Sequence, residues 1–559
     1  MLADLLRKLT SLTRSGGLPI VRVGARVWYL SPAGVELFGD GGPDLDGWLA
    51  RGAAVVVKSN PARTVYRVTL PGATVFVKHC KISGLRALGR EFIRQPKAQL
   101  EFENTRALRE RGVAAIEPLA WGGPDSKLPG ESFLITRELT DSIPFVHYLE
   151  RILPALPADE HRTARRVIAR ALGEFVARLH DAGVAHPDPH PGNLLVELGA
   201  SFPPRFALID LHAVRVGRPL DWSRSRKNLV LFNRWFQLRA SRVDRARFWH
   251  AYRSSRTTLP EPSGEEVREG AKELERKTAD SNLRFWAGRE SRCLGTNRYF
   301  RRIRLGVFRG FAVRDIADEF LQQLLSNPDG VLDSTDSEYF KNSRTSTVAV
   351  LTMPSSRGAT PVVLKRVNVR SRIEPLKNLL RSSQVLRSWI NGHSLRDRCL
   401  PTPRPLAVFH RYRRGLPAEG YLLTELVPDP TPLARGIKPV ATRLARLLRS
   451  MHDRGVSHRD LKSANVILAG GAEPILIDLV GVRTRLQPSD QQRAKELARL
   501  NASFLDNTEI TSTDRLRFLH SYLAAGTGSQ EGWKSWWKMV SRATAAKVAK
   551  NRRNGRTLG

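Results

Sequence analysis

The sequence contains one pattern of residues twice, and this internal repeat constrains the fold more than any other feature. Residues 179–196 read LHDAGVAHPDPHPGNLLV, and residues 451–468 read MHDRGVSHRDLKSANVIL. His, Gly, His, Asp and Asn recur at positions 272 residues apart, and further matches lie on both sides. A chain of 559 residues has room for two such domains. The sequence therefore predicts two copies of one domain in tandem.

Both copies show the same order of predicted elements. β-branched segments that alternate between apolar and polar residues predict a small antiparallel sheet (54–57, 64–70 and 74–77; 346–352 and 361–367). In each copy a helix (97–111; 376–396), a further strand (134–138; 421–425) and a long amphipathic helix (162–180; 440–452) follow. The predicted fold class is therefore α+β, a small antiparallel N-lobe followed by a helical C-lobe, which is the order of a bilobal protein kinase. The predicted boundaries are 20–260 for domain 1, 261–290 for a linker, 291–530 for domain 2 and 531–559 for a basic tail.

The composition limits the classes of partner and compartment. The net charge of +37 predicts attraction to polyanions such as nucleic acid, anionic lipid or phosphorylated glycolipid, unless it reflects a genome that prefers arginine. Three distant cysteines exclude a disulfide framework and indicate a reducing cytosol. No apolar run approaches the roughly 18 residues that a membrane span needs, and the first residues do not resemble a signal peptide. The expected location is the cytoplasm, with peripheral association at the inner membrane as the alternative.

The repeated loop in the second copy carries residues that phosphoryl transfer requires. This chemistry needs a cation on the nucleotide phosphates, oxygen ligands for a metal ion and a carboxylate that accepts the proton of the acceptor. Residues 458–465 read HRDLKSAN, the pattern of a kinase catalytic loop, so Asp460 is the predicted base and Asn465 a predicted metal ligand. Asp478 follows an apolar strand 13 residues after Asn465. A β-hairpin of that length brings both side chains to one magnesium site.

The first copy offers the same loop, with Asp188 as the predicted base. Asn193 and Asp210 are its predicted metal ligands, joined by a hairpin that is four residues longer. Taken singly, such residues are commonly turn or strand-end residues. Their joint spacing, present twice, favours phosphoryl transfer.

Two lysines at the ends of β-patterned segments complete the predicted sites. Lys78 and Lys365 occupy the place of the lysine that binds the nucleotide phosphates in kinases. Glu101, 23 residues after Lys78, is the predicted partner of that lysine. Neither copy shows a Gly-rich phosphate loop; the corresponding stretches read KSNPARTVYRV (58–68) and KNSRTSTVAV (341–350).

The second copy resembles the lipopolysaccharide kinase family, bacterial enzymes that phosphorylate 3-deoxy-D-manno-octulosonic acid or core heptose. The resemblance rests on WINGHSL (389–395), PTPRPLA (401–407), HRDLKSANVIL (458–468) and IDLVGVR (477–483). It covers residues 290–525 and, more loosely, 50–255. It implies a protein-kinase-like fold and ATP- and magnesium-dependent transfer to a sugar hydroxyl of a membrane-borne, anionic glycolipid of the cell envelope. It also implies roles for individual residues: Asp188 and Asp460 as bases; Asn193, Asp210, Asn465 and Asp478 as metal ligands; Lys78, Glu101, Lys365 and Lys462 at the nucleotide.

Each copy departs from the family pattern. Ser388 stands 23 residues after Lys365, where the first copy has its glutamate. In the first copy, Pro187 and His190 replace Arg459 and Lys462 of the second. These departures favour the first copy as the more complete nucleotide site, and they leave open whether one of the two copies is inactive.

Three other functions are compatible with parts of the sequence. A Ser/Thr protein kinase is disfavoured because no Ala-Pro-Glu follows Asp210 or Asp478. A small-molecule kinase of the aminoglycoside type is favoured by the DPHPGN loop at 188–193 but not by the net charge. The non-enzymatic alternative is a pseudokinase scaffold or a basic nucleic-acid binder, and no known nucleic-acid module is visible, so no specific nucleic acid is expected.

The basic tail has two interpretations. Residues 532–550 read GWKSWWKMVSRATAAKVAK and place Trp533, Trp536, Trp537 and Val540 at helical spacing among lysines. Such a helix either lies in a membrane interface, with tryptophan at headgroup depth, or packs its tryptophans onto the preceding lobe. The sequence gives no indication of the oligomeric state.

Overall fold

A computed structural model describes residues 17–82, 84, 89, 94–126, 130–198, 204–333, 338–355, 358–369, 382–484, 487–526 and 532–555. The chain divides into two compact units, Met1–Ser281 and Asn282–Gly559, here named unit 1 and unit 2. Each unit contains one copy of the repeat.

Unit 1 begins with a seven-stranded sheet in which every neighbouring pair is antiparallel. Its strands are β1 (Ile20–Val23), β2 (Arg26–Leu30), β3 (Ala54–Asn60), β4 (Arg63–Leu70), β5 (Ala73–Cys80), β6 (Pro118–Pro124) and β7 (Ser132–Arg137). They lie in the order β1-β2-β6-β7-β5-β4-β3. Alternate apolar residues such as Val75, Val77 and Ile135 are buried on one face, as expected from the two-residue period of a strand. Three helices accompany the sheet: α1 (Pro32–Phe38), α2 (Leu45–Ala50) and α3 (Lys97–Glu110).

Further along unit 1, the chain is mainly helical. The helices are α4 (Ala158–Asp181), α5 (Trp222–Arg239), α6 (Arg242–Ser254) and α7 (Gly264–Ala287). Short strands lie between α3 and α5: β8 (Ser142–Pro144), β9 (Val184–Ala185), β10 (Leu194–Glu197), β11 (Arg205–Leu208) and β12 (Arg215–Val216). β10 pairs with both β8 and β11, and β9 pairs with β12. The core of this part is built by α4, whose buried residues recur along one face, together with residues from α5 and α6.

Unit 2 repeats the sheet of unit 1 strand for strand. The order across its sheet is β13-β14-β18-β19-β17-β16-β15, which is the order in unit 1 with twelve added to each number. These strands are β13 (Phe300–Leu305), β14 (Phe308–Val313), β15 (Glu338–Asn342), β16 (Ser346–Ser355), β17 (Gly358–Val367), β18 (Pro405–Arg413) and β19 (Leu416–Glu425). Its accompanying helices are α8 (Asp318–Ser326), α9 (Pro328–Asp333) and α10 (Gln384–Asp397). α10 is the predicted helix 376–396, of which residues 376–381 lie outside the described residues.

The helical part of unit 2 also repeats its counterpart. It contains α11 (Leu433–Asp453), α12 (Asp490–Ala502), α13 (Ser512–Ala525) and α14 (Trp533–Arg553). Its short strands are β20 (Thr431–Pro432), β21 (Ser457–His458), β22 (Val466–Ala469), β23 (Glu473–Leu476) and β24 (Val482–Arg483). A buried histidine on the long helix contacts a tyrosine in both units: His180 Nδ1 lies 2.9 Å from Tyr252 Oη, and His452 Nδ1 lies 2.7 Å from Tyr522 Oη.

The segments predicted as a linker and a tail hold corresponding helices. α7 occupies most of residues 261–290, and α14 occupies most of residues 531–559. In unit 1, Asn233 Nδ2 donates to Thr278 Oγ1 at 3.1 Å; in unit 2, Asn501 Nδ2 donates to Thr544 Oγ1 at 3.2 Å. Trp536 of α14 is fully buried in the core of unit 2. The tail therefore packs onto its lobe through Trp536, and the structure shows no linker of irregular chain at 264–287.

The predicted fold class is confirmed. Each unit is an α+β structure with an antiparallel sheet before a helical part, and the two units share strand order, helix order and internal hydrogen bonds. Among the described residues, no helix combines the length and apolar character that crossing a bilayer requires.

Candidate functional site

In unit 1, strand β5 and helix α3 bring Lys78 and Glu101 together. Lys78 follows the buried Val77 in β5, so the alternation of the strand directs it to the other face of the sheet. Its Nζ donates to Glu101 Oε1 at 2.5 Å, and the side chains are only 12% and 5% exposed. The same Nζ lies 3.5 Å from Asp210 Oδ1. Three residues that are far apart in the sequence thus lie together.

Asp210 is also bound by a cation that the sequence did not reveal. Arg63, the first residue of β4, donates to Asp210 through Nη1 at 2.6 Å and through Nη2 at 3.4 Å. Burial alone raises the pKa of Asp210, but the charges of Lys78 and Arg63 outweigh it and hold the pKa well below its ordinary value. Burial alone also lowers the pKa of Lys78, and the charges of Glu101 and Asp210 reverse this, so the pKa is raised. Asp210 and Lys78 are therefore both ionised near neutral pH.

A β-hairpin places Asn193 beside Asp210. β10 and β11 pair with Leu194 opposite Leu208, and the backbone N–H of Ile209 donates to the carbonyl of Asn193 at 3.0 Å. Asp210 follows directly, in a left-handed conformation with φ of 64°. Few residues other than glycine adopt this conformation, and aspartate is among those that tolerate it.

Helix α3 also holds the turn that follows Asp210. Asn104, one helical turn after Glu101, donates from Nδ2 to the carbonyl of Leu211 at 2.8 Å and to that of Val214 at 3.1 Å. The helix that pairs with Lys78 is therefore also hydrogen-bonded to the backbone next to the predicted metal ligand. Asn391 repeats this contact in unit 2, to Leu479 at 2.8 Å and Val482 at 3.3 Å.

The predicted base of unit 1 lies on the loop that precedes the hairpin. Asp188 is 85% exposed in its side chain. Its backbone N–H donates to Nδ1 of the buried His186 at 3.1 Å, and its carbonyl accepts from Asn193 Nδ2 at 3.0 Å. The loop is fixed through its backbone, and the Asp188 carboxylate remains accessible to an acceptor.

The corresponding loop of unit 2 has the same construction. Asn465 Nδ2 donates to the carbonyl of Asp460 at 2.7 Å and to its Oδ2 at 3.1 Å. Lys462 Nζ lies 3.7 Å from the same carboxylate. A Cβ built on Gly481 would lie 3.5 Å from the backbone nitrogen of Asp460, so the turn after Asp478 packs against the catalytic loop.

The nucleotide lysine of unit 2 has a different partner. Lys365 Nζ donates directly to Asp478 Oδ1 at 3.3 Å, and the two side chains are 30% and 42% exposed. Ser388, at the position of Glu101, is buried in α10. Ser346 begins β16 where Arg63 begins β4, so the second cation is absent as well. Asp478, with φ of 52°, keeps the left-handed conformation of its counterpart.

The oxygen atoms of both sites fit a hard divalent cation. In both units the amide nitrogen of the asparagine is engaged by the loop, which leaves its carbonyl oxygen available as a ligand. The neighbouring aspartate supplies carboxylate oxygens, and Mg²⁺ prefers carboxylate, amide and water oxygens. In unit 1 a nitrogen of His212 also lies within 4.8 Å of oxygens of Glu101 and Asp210. Unit 2 has Val480 at that position.

Sequence reasoning missed Arg63, His212 and the two bridging asparagines. Arg63 lies in the stretch (58–68) that stands in place of a Gly-rich loop, and nothing in its neighbours distinguishes it from other surface arginines. His212 stands two residues after the predicted metal ligand Asp210, where kinases have glycine, and that departure was a usable signal. Asn104 and Asn391 occupy equivalent positions of the two helices, so a comparison of the copies finds them.

A family model and a solved structure match this chain. A family model described as the lipopolysaccharide kinase (Kdo/WaaP) family matches residues 80–252 and 378–522, one segment in each unit and more than half of the chain together. A solved structure titled "WaaP in complex with acyl carrier protein" is similar at 22% sequence identity and a TM-score of 0.33, over 45% of this chain and 98% of that chain. No curated protein sequence matches significantly. The chain belongs to the lipopolysaccharide kinase (Kdo/WaaP) family.

Proposed function

We propose that the protein transfers the terminal phosphoryl group of ATP to a sugar hydroxyl of a lipopolysaccharide-type glycolipid. The observation that supports this most is the convergence of Lys78, Glu101 and Asp210, with Asn193 brought beside Asp210 by the hairpin. A buried lysine held by a glutamate is suited to bind nucleotide phosphates. Family membership supports a kinase, and the family's own acceptors support the glycolipid.

Each residue has a role in this proposal. Asp188 or Asp460 takes the proton of the acceptor hydroxyl while the oxygen of that hydroxyl bonds to the γ-phosphorus. The bond between that phosphorus and the β,γ-bridging oxygen breaks, and ADP leaves. Lys78 or Lys365 neutralises phosphate oxygens. A magnesium ion bound by Asn193 and Asp210, or by Asn465 and Asp478, would supply further neutralisation of charge on the transferring group.

Both units act as transfer sites in this proposal, with unequal nucleotide sites. Unit 1 has the complete Lys78–Glu101 pair and the additional Arg63. Unit 2 has Lys462 in its loop, as protein kinases do. Its Lys365 has Ser388 at the position where Lys78 has its partner Glu101. We expect unit 1 to bind ATP more tightly, because its lysine is fixed before the nucleotide arrives.

The test is transfer of labelled phosphate from ATP to glycolipid extracted from a bacterial cell envelope. Asp188→Asn and Asp460→Asn each remove the charge of one proposed base and keep the size of its side chain. We expect each single variant to lose part of the transfer and the double variant to lose nearly all of it. Full activity in the double variant would refute the assigned bases. Transfer to protein or to an aminoglycoside instead of glycolipid would favour an alternative kinase function, and absence of any transfer would favour the scaffold.

The surface of α14 supports an acceptor that lies at a membrane. α14 carries seven Lys and Arg residues and no Asp or Glu, whereas its counterpart α7 carries five basic and six acidic residues. Acidic residues of α7 pair with their own unit, as in Arg226–Glu273 and Arg245–Glu275. A basic helix with a partly exposed tryptophan, Trp533, is suited to anionic headgroups. We therefore propose that unit 2 contacts the cytoplasmic face of the inner membrane through α14.

A further inference from the structure

A cationic cleft lies beside the predicted base of unit 2. It has a volume of about 680 Å³. Four cationic side chains line it: Arg459 from the catalytic loop, Arg483 from the end of β24, and Lys495 and Arg499 from α12. Arg459 directly precedes Asp460 in the chain, so an occupant of the cleft lies next to the site of transfer.

These four cations have no carboxylate partner in the structure. In the described part of the chain, no Asp or Glu oxygen lies within 4.0 Å of their charged nitrogens. Polar Ser489 and Gln492, in the first turn of α12, also line the cleft. The positive end of the helix dipole therefore adds to the potential of the four side chains.

The carboxylate that does line the cleft is already used by the fold. Glu496 is 2% exposed, and its Oε2 accepts from the backbone N–H of His458 at 2.8 Å and lies 3.2 Å from His452 Nε2. Its Oε1 accepts from the hydroxyl of Ser457. These contacts hold the loop to α12, and the single carboxylate of Glu496 offsets only one of the four positive charges. The cleft therefore retains an excess of positive charge.

The same place in unit 1 lacks two of these four cations; Arg224, in place of Gln492, adds one, and it lies 3.8 Å from Asp221, which stands in place of Ser489. The residues equivalent to Arg459 and Arg499 are Pro187 and Leu231, whereas Arg483 and Lys495 correspond to Arg215 and Lys227. Asn228 stands in place of Glu496 and contacts the equivalent two histidines: its Nδ2 donates to the carbonyl of His186 at 2.6 Å, and its Oδ1 lies 3.1 Å from His180 Nε2. The loop can thus be held without this cluster of cations.

We infer that this cleft binds an anionic group of the acceptor, a phosphate or a carboxylate, while the acceptor hydroxyl lies at Asp460. Arginine forms paired hydrogen bonds with such groups, and several converging cations strengthen them in a partly enclosed cleft. This inference rests on the proposed function and adds to it. Unit 2 requires an acceptor that already carries negative charge, and unit 1 does not.

The kinetic test isolates unit 2 in the Asp188→Asn protein. Arg499→Leu, which introduces the residue of unit 1, and Lys495→Gln are each expected to raise KM for the glycolipid about tenfold, with KM for ATP unchanged. Treatment of the glycolipid with phosphatase and conversion of its carboxylates to amides should remove the difference between variants and parent. Lys227→Gln, the same change at the equivalent position of unit 1, is the matched control and should change neither constant.

The outcomes distinguish this inference from the proposed function. If Arg499→Leu leaves KM for glycolipid unchanged, the inference is wrong and the proposed function stands. If the unmodified protein transfers phosphate but the Asp188→Asn protein does not, the inference is wrong and the proposed transfer stands for unit 1 alone. If the unmodified protein transfers nothing, the proposed function itself fails.

A binding measurement needs no activity. Inorganic phosphate should raise the melting temperature of the full chain more than chloride at equal ionic strength, and the Arg459→Gln/Arg499→Leu protein should lose this difference. An equal response in both proteins would refute the anion site. A third outcome would overturn the binding of the acceptor in this cleft. In that outcome the double variant loses the response to phosphate but keeps its KM for glycolipid, and mass spectrometry of the purified protein detects a phosphorylated side chain. The cleft would then be assigned to that phosphorylated side chain.

Discussion

Replacing Glu101 by glutamine tests the nucleotide site of unit 1 most sharply. The change keeps the size of the side chain and an acceptor oxygen but removes the charge that Lys78 contacts at 2.5 Å. Lys78 would then have one carboxylate left, that of Asp210 at 3.5 Å. This is the arrangement of unit 2, where Lys365 contacts only Asp478 at 3.3 Å. We therefore expect Lys78 of the variant to move towards Asp210 and away from the position of the phosphates.

The size of the effect follows from the burial of the pair. Lys78 and Glu101 are 12% and 5% exposed, so their contact is little screened by water. A hydrogen bond to a charged group contributes about 1.5–3 kcal/mol. A loss of about 2 kcal/mol from the transition state lowers kcat/KM for ATP about 30-fold.

The assay is steady-state phosphoryl transfer in the Asp460→Asn protein, in which unit 1 alone retains its base. Glu103→Gln is the matched control: it lies on the same helix, and its carboxylate accepts only from Gln99 among the described contacts. Circular dichroism establishes that both variants are folded. A kcat/KM of Glu101→Gln within threefold of the parent, or no lower than that of Glu103→Gln, would refute the role of the pair.

Three further predictions address positioning, pH and membrane contact. Asn104→Asp keeps the shape of the side chain but removes both hydrogen bonds to the turn after Asp210. The Mg²⁺ concentration for half-maximal transfer by unit 1 should therefore rise about tenfold, without a comparable change in the melting temperature. An unchanged Mg²⁺ dependence would contradict this prediction. Burial lowers the pKa of His180 and of His410 from about 6.5 to about 4, so the unfolded chain binds more protons than the folded chain between these two pH values. The free energy of unfolding, measured in urea, should therefore fall by about 3 kcal/mol per histidine from pH 7 to pH 4. A free energy of unfolding that is constant over this range would contradict this prediction. Replacing Lys534 and Lys538 by glutamine should lower the fraction of protein that sediments with anionic vesicles. Added salt should lower this fraction for the parent protein as well. Equal binding to neutral and anionic vesicles would contradict membrane contact through α14.

The sequence predicted the fold well because the repeat supplied two readings of each element. The same order of strands and helices is indicated in both copies, and the predicted hairpin is present in both units. α7 was missed because its charged residues, with a glycine at its start, resemble a linker. Its buried face, Val267, Leu274 and Thr278, has helical spacing, and the charges that surround it are balanced by partners on α5 and α6.

More of the predicted site residues contact one another in unit 1 than in unit 2: Lys78 contacts both Glu101 and Asp210, whereas Lys365 contacts Asp478. Spacing alone identifies residues that share a loop or a hairpin, such as Asp188, Asn193 and Asp210. It does not identify Arg63, because that contact depends on how a hairpin of the sheet approaches the turn at Asp210. The left-handed backbone of Asp210 and Asp478 is likewise set by packing against α3 and α10 rather than by the local sequence.

The number of nucleotide sites per chain tests the central claim most directly. Isothermal titration with a non-hydrolysable ATP analogue and Mg²⁺ should give two sites for the unmodified chain, one each for Asp210→Asn and Asp478→Asn, and none for the double variant. No binding by the unmodified chain, or undiminished binding by the double variant, would contradict a pair of metal-dependent phosphoryl-transfer sites.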